Sequence, residues 1–273
     1  MPNKSSVHLY RYKQHHLLNA NVPKRVAFWV ITAFILIVAV TLIDTQFHTA
    51  VPAGISTVFQ RVTPGQLIWD SLLTLARLTI AYFIGLIATS LILLLISIHH
   101  RVENAILPIL DILQSIPVLA FFPLIIIAFA DLQMPELSAQ IVLVMAMTWS
   151  VMFGAIGGLH QIPEDIMEAA QIYGAKGWRK FSKIVLPAIL PNLITGSMLS
   201  FGAGWNVIII SEYINYGKVS IRLLGLGSLL SSSAGNDTGI FIVSLLMLVL
   251  IITLINRLVW HRLIEYSEKF KFE

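Results

Sequence analysis

The sequence has no cysteine and little charge. None of its 273 residues is cysteine and only 12% are charged, whereas an ordinary soluble domain has about 25% charged residues. Without cysteine, disulfides, thiolate nucleophiles and cysteine-ligated metals are all excluded. Hydrophobic residues make up 57% of the chain. This composition is typical of a membrane protein and predicts a lipid bilayer as its surroundings.

Motifs that would indicate other functions are also absent. The net charge is +4, but the basic residues form no continuous patch, so nucleic-acid binding is not expected. Without a P-loop motif, the chain is not expected to bind ATP itself. It has no nucleophile elbow, zinc-protease motif or Rossmann fingerprint, and its histidines lack the spacing of metal ligands. The sequence therefore predicts a non-catalytic chain without a metal or cofactor of its own.

About six apolar stretches are long enough to cross a bilayer, which takes about 20 residues of helix. The third contains Pro117 and Pro123, so we expect an irregular or broken helix there, because proline removes a backbone donor. The sequence thus predicts an all-α integral membrane protein with about six transmembrane helices. The stretches are Ala27 to Ile43, Leu78 to Ile98, Ile112 to Ala130, Leu137 to Leu159, a part of Ile184 to Ser211, and Thr238 to Asn256.

Lysine and arginine predict the orientation, because basic residues in short loops stay on the cytoplasmic side of the cell membrane. Both termini are then cytoplasmic, and the run from Leu223 to Gly235 is an external loop or short re-entrant segment. The first apolar stretch is longer than a signal-peptide core, so it is expected to remain uncleaved. The predicted parts are a tail (1–26), the first helix (27–43), a core domain (68–260) with the other five helices, and a tail (261–273).

The longest cytoplasmic connection, residues 160–183, lies between the fourth and fifth predicted spans. Pro163 and the two acids after it suit the first turn of a helix, where proline costs no hydrogen bond and acids face the positive end of the dipole. Gly174 and Gly177 permit a sharp turn, and a second short basic helix follows from Trp178. The pattern predicts a helix, a turn and a helix outside the membrane. A plain amphipathic connector at the lipid headgroups is the alternative.

The same connection carries the motif of one protein family, which reads E-A-A, three residues, G, nine residues, I-x-L-P. The matching residues are Glu168, Ala169, Ala170, Gly174, Ile184, Leu186 and Pro187. The chain therefore resembles the permease subunits of binding-protein-dependent ABC transporters. Further segments resemble the nitrate, sulfonate and taurine permeases of this family, an anion-transport subgroup: SLLTLAR from Ser71, SIPVLAFFPLIIIAF from Ser115 and SFGAGWNVIIISEYI from Ser200. The ending INRLVWHRLIEYSEKF from Ile255 resembles the end of duplicated anion-transport permeases, in which two such units occur in one chain.

This resemblance implies a type I ABC importer permease bundle, in which the loop 160–183 contains the coupling helix that docks on an ATPase. Glu168 would be a polar anchor for the ATPase, and Gly174 would set the turn. The implied partners are two ABC ATPase subunits that bind ATP and Mg²⁺, an extracytoplasmic solute-binding protein, and a second permease. That second permease would be either another copy or a related subunit. The implied solute is a small anion such as nitrate, a sulfonate or taurine.

Two ionisable residues near the predicted outer ends of spans invite a functional hypothesis, because charge is costly in a membrane. Arg77 precedes the second apolar stretch, and Glu212 follows the fifth. They could pair as a structural bridge, Arg77 could face the translocation path and attract an anion, or Arg77 could extend to the membrane surface. With Asn206 on the fifth span, they are the candidate path residues.

Two other functional classes remain open from the sequence alone. A secondary transporter driven by an ion gradient would be expected to have repeats and ionisable groups near the midplane. Neither feature is visible in this sequence. A membrane-embedded enzyme or assembly factor would bring clustered His, Asp or Glu residues within the bilayer, and that cluster is missing as well.

Overall fold

The computed structural model describes residues 55–98, 100–130, 134–216 and 219–270. Residues Ile55–Glu273 form one compact unit. The predicted tail 1–26 and first span 27–43 lie outside the described residues. The elements are α1 (Ile55–Arg61), α2 (Pro64–Ile98), α3 (His100–Ser115), α4 (Val118–Ala130), α5 (Pro135–Leu159), α6 (Glu164–Ile172), α7 (Gly177–Lys180), α8 (Leu186–Glu212), β1 (Tyr213–Tyr216), β2 (Val219–Arg222), α9 (Leu226–Ser233), α10 (Thr238–Ile255) and α11 (His261–Ser267).

Within the described residues, four continuous helical stretches are long and apolar enough to cross a membrane. One bent pair of helices, α3 and α4, brings the number to five if it counts as a single span. These five match the second to sixth predicted spans, so the helical membrane fold is confirmed for this part of the chain. The four continuous stretches are Pro64–Ser97, Pro135–Leu159, Gly177–Glu212 and Thr238–Phe270.

The second and sixth spans are longer than their predicted apolar stretches. The second span begins at Pro64 rather than Leu78, because Thr63 accepts a hydrogen bond from the Gln66 N–H and proline suits the first helical position. The sixth continues through a π-helical turn, Asn256–Trp260, to Phe270. Loss of hydrophobicity marks where a helix leaves the apolar layer, and it does not require the helix to end there.

The third span is broken, as the sequence predicts, at one of its prolines. Helices α3 and α4 meet at an angle of 77° around Ile116 and Pro117. Proline has no N–H and also disfavours helix at the residue before it. Pro108 and Pro123 lie inside α3 and α4 without ending them. The break therefore depends on Pro117.

The centre of the bundle is the contact between α5 and α8. A Cβ atom added to Gly154 would lie 2.8 Å from the Gly196 Cα atom, and one added to Gly196 would lie 2.7 Å from the Ser150 carbonyl oxygen. Small residues allow helix backbones to approach this closely in membranes. The tight contact fixes α5 and α8 against each other, and α2 packs on the same two helices through Leu78, Leu143 and Phe201.

The two ends of the bundle have different caps. The end that we name the hairpin end carries the antiparallel pair β1 and β2, in which Tyr213 pairs with Arg222, followed by α9 inside the predicted run Leu223 to Gly235. The opposite end, which we name the loop end, carries residues 160–183. Helices α5 and α8 run between these ends, since Pro135 and Glu212 lie at the hairpin end and Leu159 and Leu186 at the loop end.

Candidate functional site

The first part of the candidate site is helix α6 at the loop end. Ala170 on its inward face is 4% exposed, and Ile162, just before the helix, is 8% exposed. Its outward face presents Glu168, which is exposed, and continues to Ile172 and Tyr173, whose exposed fractions are 83% and 88%. Large apolar side chains this exposed, next to an acid and outside the apolar layer, indicate a surface for a partner.

A glycine turn ends this helix. Gly174 has a φ of +69°, and the Ala175 N–H donates to the Ala170 carbonyl oxygen at 2.9 Å. This is the bond pattern of a Schellman motif, in which the residue after the helix adopts the left-handed conformation that glycine reaches without strain. A Cβ atom on Gly174 would meet no other atom within 4 Å. The requirement for glycine is therefore conformational rather than steric.

The second half of the motif returns the chain to the bundle. Phe181 and Val185 are buried in one apolar cluster with Ile162 and Ile189. They lie in a π-helical turn, Phe181–Val185, that leads into α8, and the Trp178 ring lies 5.6 Å from the Phe181 ring. Ile184, Leu186 and Pro187 are partly buried around this anchor. The buried anchor holds the exposed helix α6 against the end of the fifth span.

The second part is a buried charged cluster at the hairpin end. Glu212 is fully buried. Its carboxylate accepts hydrogen bonds from the Thr74 hydroxyl at 2.8 Å, from Arg77 Nη1 at 2.7 Å and from the Gly227 N–H at 2.8 Å. A buried carboxylate is tolerated when it is paired and hydrogen-bonded in this way. Glu212 therefore ties α8 to α2 and to the start of α9.

Arg77 links Glu212 to two further groups of the cluster. Its Nη1 atom also donates to the Leu224 carbonyl oxygen at 2.7 Å. Its Nε and Nη2 atoms make a bidentate pair with Glu136, at 2.8 and 2.7 Å, and the Glu136 side chain is 60% exposed. The structure shows Arg77 paired with Glu212, which is the contact that the structural-bridge alternative requires. Glu136 was missed, although an acid directly after Pro135 at the same predicted depth was an available signal.

The carboxylate leaves no room for a side chain at the start of α9. A Cβ atom on Gly225 would lie 2.2 Å from Glu212 Oε2, and one on Gly227 would lie 2.9 Å from the same atom. The Leu226 N–H between them donates to the Thr74 hydroxyl at 2.9 Å. The glycines are required by this close approach, and α9 is seated directly on the buried charges.

Asn206 lies apart from this cluster. It is exposed on α8, in line with Leu199 and Gly202, and its amide donates to the Gly202 carbonyl oxygen at 3.1 Å. Glu212 lies on the buried face of the same helix. The structure thus joins two of the three candidate path residues and separates the third. Their role in a translocation path stays a prediction.

Each end of the bundle has a further polar contact site, at His160 and at Asp237. At the loop end, His160 pairs with Glu103, which joins the end of α5 to α3. At the hairpin end, Asp237 accepts from the Ile240 N–H at 3.2 Å and pairs with Arg61. Among the residues that the structure describes, no group of three or more His, Asp or Glu side chains could hold a metal ion.

The chain is similar to known permease proteins. Over 155 residues the chain is 27% identical to the bicarbonate transport system permease protein CmpB of Synechococcus elongatus, covering 57% of this chain and 55% of that protein. Over 151 residues it is 28% identical to the nitrate import permease protein NrtB of Leptolyngbya laminosa, covering 55% and 53%. The chain thus spans about half the length of these relatives. These matches give no support to a secondary transporter.

A solved structure shares the fold. A chain of the MetNI methionine ABC transporter, in an inward-facing conformation, superimposes with a TM-score of 0.61 at 18% identity, over 75% of this chain and 97% of that one. Residues 81–261, well over half of the chain, match the family described as binding-protein-dependent transport system inner membrane component. This region contains the whole loop 160–183. The chain belongs to this family, and its fold is that of an ABC importer permease.

Proposed function

We propose that this chain is the permease subunit of an ATP-driven, binding-protein-dependent importer in the inner (cytoplasmic) membrane, and that its solute is a small oxyanion. The observation that supports this most directly is helix α6, which presents Glu168, Ile172 and Tyr173 outward on a glycine turn. In this proposal, these side chains enter a groove of a cytoplasmic ATPase. The loop end is then cytoplasmic, and so are both termini.

Energy reaches the spans through the same loop. ATP and Mg²⁺ are bound by two partner ATPase subunits and not by this chain, which takes no part in bond chemistry. When the ATPases close, they push α6, and the buried anchor of Phe181 and Val185 transmits the movement to α8. Because α8 packs closely on α5 through Gly154 and Gly196, the two helices then move together as one rigid body.

The solute proposal rests on the solutes that name the two relatives. Bicarbonate and nitrate, which name the two relatives, are both small, flat, singly charged oxyanions. A solute-binding protein outside the membrane would deliver the anion to a path between this chain and a second permease, either a copy or a related subunit. Asn206 and Gly202, exposed on α8, would line that path, while the Arg77 bridge would hold the outer end of the spans together.

The first test is co-purification from the native membrane. Wild-type protein, extracted gently with a tag, should retain an ABC ATPase, and Glu168→Lys should lose it because a repulsive charge replaces the anchor. Glu268→Lys is the matched control, since Glu268 is also exposed at the loop end but lies outside the motif. Equal ATPase recovery from the Glu168 variant and the wild type would contradict the docking proposal.

The second test is transport in reconstituted vesicles. Labelled bicarbonate or nitrate should enter only when ATP is present on the ATPase side and the binding protein on the other. An ATPase with an inactivated P-loop should abolish uptake completely. Uptake that persists without any ATPase and follows an ion gradient would overturn the importer assignment in favour of a secondary transporter.

A further inference from the structure

A cavity of about 370 Å³ lies at the loop end, behind helix α6. Three separate segments line it. Helix α6 contributes Ile166, the start of the fifth span contributes Ile184, Pro187 and Ala188, and the C-terminal segment, Glu268–Phe270, contributes Phe270. These side chains form an apolar floor. The volume is within the range of small-molecule sites, about 300–1,000 Å³.

Two lysines complete the lining. Lys183 precedes the apolar part of the fifth span, and Lys269 comes from the C-terminal segment, so the two reach the same cavity from different elements. Both are exposed, and the Lys269 ammonium lies 5.5 Å from the centre of the Tyr266 ring, a contact that restrains it. No acidic side chain is among the described residues that line the cavity. Its mouth is therefore positively charged above an apolar floor.

The position along the chain places this mouth at the membrane surface. The segment from Lys176 to Lys183 is polar and basic, and the sequence becomes apolar from Ile184 onward. Lysines at such a boundary extend toward the headgroup layer, and anionic lipids there attract them. A ligand that matches the cavity must combine an anionic group with an apolar part.

We propose that this cavity binds an anionic phospholipid, with its phosphate between Lys183 and Lys269 and its first acyl carbons on the floor. A soluble phosphate would use the lysines but leave the apolar floor unused. The lipid would join helix α6 to the C-terminal segment. Ile166 is partly buried and Glu168 is exposed, and residues two apart in a helix lie on nearly opposite faces, so lipid and ATPase would occupy different faces of α6. The proposal does not depend on the transported solute or on the ATPase.

The test is retention of added lipid by the intact, detergent-purified chain, measured by native mass spectrometry. Wild type should retain phosphatidylglycerol in preference to phosphatidylcholine. The double variant Lys183→Gln/Lys269→Gln should retain phosphatidylglycerol about tenfold to thirtyfold less. Each lysine near an anionic lipid strengthens binding about fivefold, and the two effects multiply. The control Lys176→Gln/Arg179→Gln, which removes two exposed charges of the same loop outside the cavity, should behave like wild type.

A second variant tests the floor without changing charge. Ala188→Leu directs carbon atoms into the cavity, and it should weaken phosphatidylglycerol retention while both lysines remain. All variants should match wild type in elution profile and thermal unfolding. Unchanged retention in the lysine double variant would overturn the proposal. It would also be overturned if inorganic phosphate displaced the lipid with the same lysine dependence and Ala188→Leu had no effect, since the ligand would then be a soluble phosphate.

Discussion

The two ends of the bundle use charged and apolar groups in opposite ways. At the hairpin end, Glu212 and Arg77 are buried and saturated with partners. At the loop end, Ile172 and Tyr173 are almost fully exposed beside Glu168. Buried charges are tolerated when the fold itself pairs them, whereas exposed apolar groups outside the membrane favour a partner. The hairpin end therefore stabilises the fold, and the loop end presents the surface that we propose for ATPase docking.

The largest expected effect on stability comes from breaking the hairpin end. Arg77→Met leaves Glu212 buried beside the uncharged donors alone, which should cost about 3–5 kcal/mol. For a chain of this size the midpoint of thermal unfolding in detergent should fall by roughly 10 °C. The control Arg222→Gln removes an exposed arginine at the same end and should change stability by less than about 0.5 kcal/mol.

Neutralising the partner sharpens this prediction. Glu212→Gln in the Arg77→Met background should restore part of the loss, because an amide can keep the Thr74 and Gly227 contacts without an unpaired charge. If Arg77→Met unfolded at the wild-type temperature, the bridge would not be the stabilising feature of this end.

A smaller loss is expected when the seat of α9 is filled. Gly225→Ala places a methyl group where Glu212 Oε2 now lies, and overpacking of this kind costs about 1–3 kcal/mol. Gly65→Ala is the matched control, since a Cβ atom there meets nothing within 4 Å, and it should be neutral or slightly stabilising. Both are measured by thermal unfolding. Equal midpoints for the two variants would mean that α9 moves freely away from the carboxylate.

At the loop end, a change of similar chemistry should affect assembly more than stability. Gly174→Ala forces alanine into the left-handed region, at about 1–2 kcal/mol, but mainly distorts the exposed turn. The midpoint temperature of thermal unfolding should therefore fall little, while recovery of a co-purifying ATPase should fall severalfold. Gly157→Ala, in a helix with open space around it, controls for the substitution itself. Normal ATPase recovery with Gly174→Ala would show that ATPase docking does not require the glycine turn.

The smallest effect concerns the pair of Asp237 and Arg61. Burial alone raises the pKa of Asp237, but the Ile240 N–H and Arg61 outweigh it and lower the pKa below its usual 3.8. The stabilisation is therefore present above that pH and is lost as the pH falls through the lowered pKa. Asp237→Asn keeps a helix cap but loses the charge, so it should cost about 0.2–1 kcal/mol at neutral pH. The difference in stability between the two proteins should begin to shrink as the pH falls below 3.8 and should vanish below the lowered pKa of Asp237; a constant difference would contradict this.

The sequence predicted the five described spans, a break of the third span at one of its prolines, and the helix and turn around Gly174, because apolar length and turn chemistry are local properties. It predicted the boundaries of α2 and the sixth span poorly. Arg77 was expected at a helix end, yet the helix passes through it, since Glu212 and Glu136 neutralise its charge. Both acids are distant from Arg77 in the sequence, so no pattern of neighbouring residues indicates that its charge is neutralised.

By itself, the sequence determined that this protein is a helical membrane protein with the motif of an importer permease. Hydrophobic runs, proline, glycine and the motif spacing act over a few residues and are readable directly. The tertiary structure alone decided that Arg77, Glu136 and Glu212 meet, that Gly225 has no space for a side chain, and that Lys183 and Lys269 share a cavity. These residues are far apart in the chain, and only packing of the helices brings their side chains together.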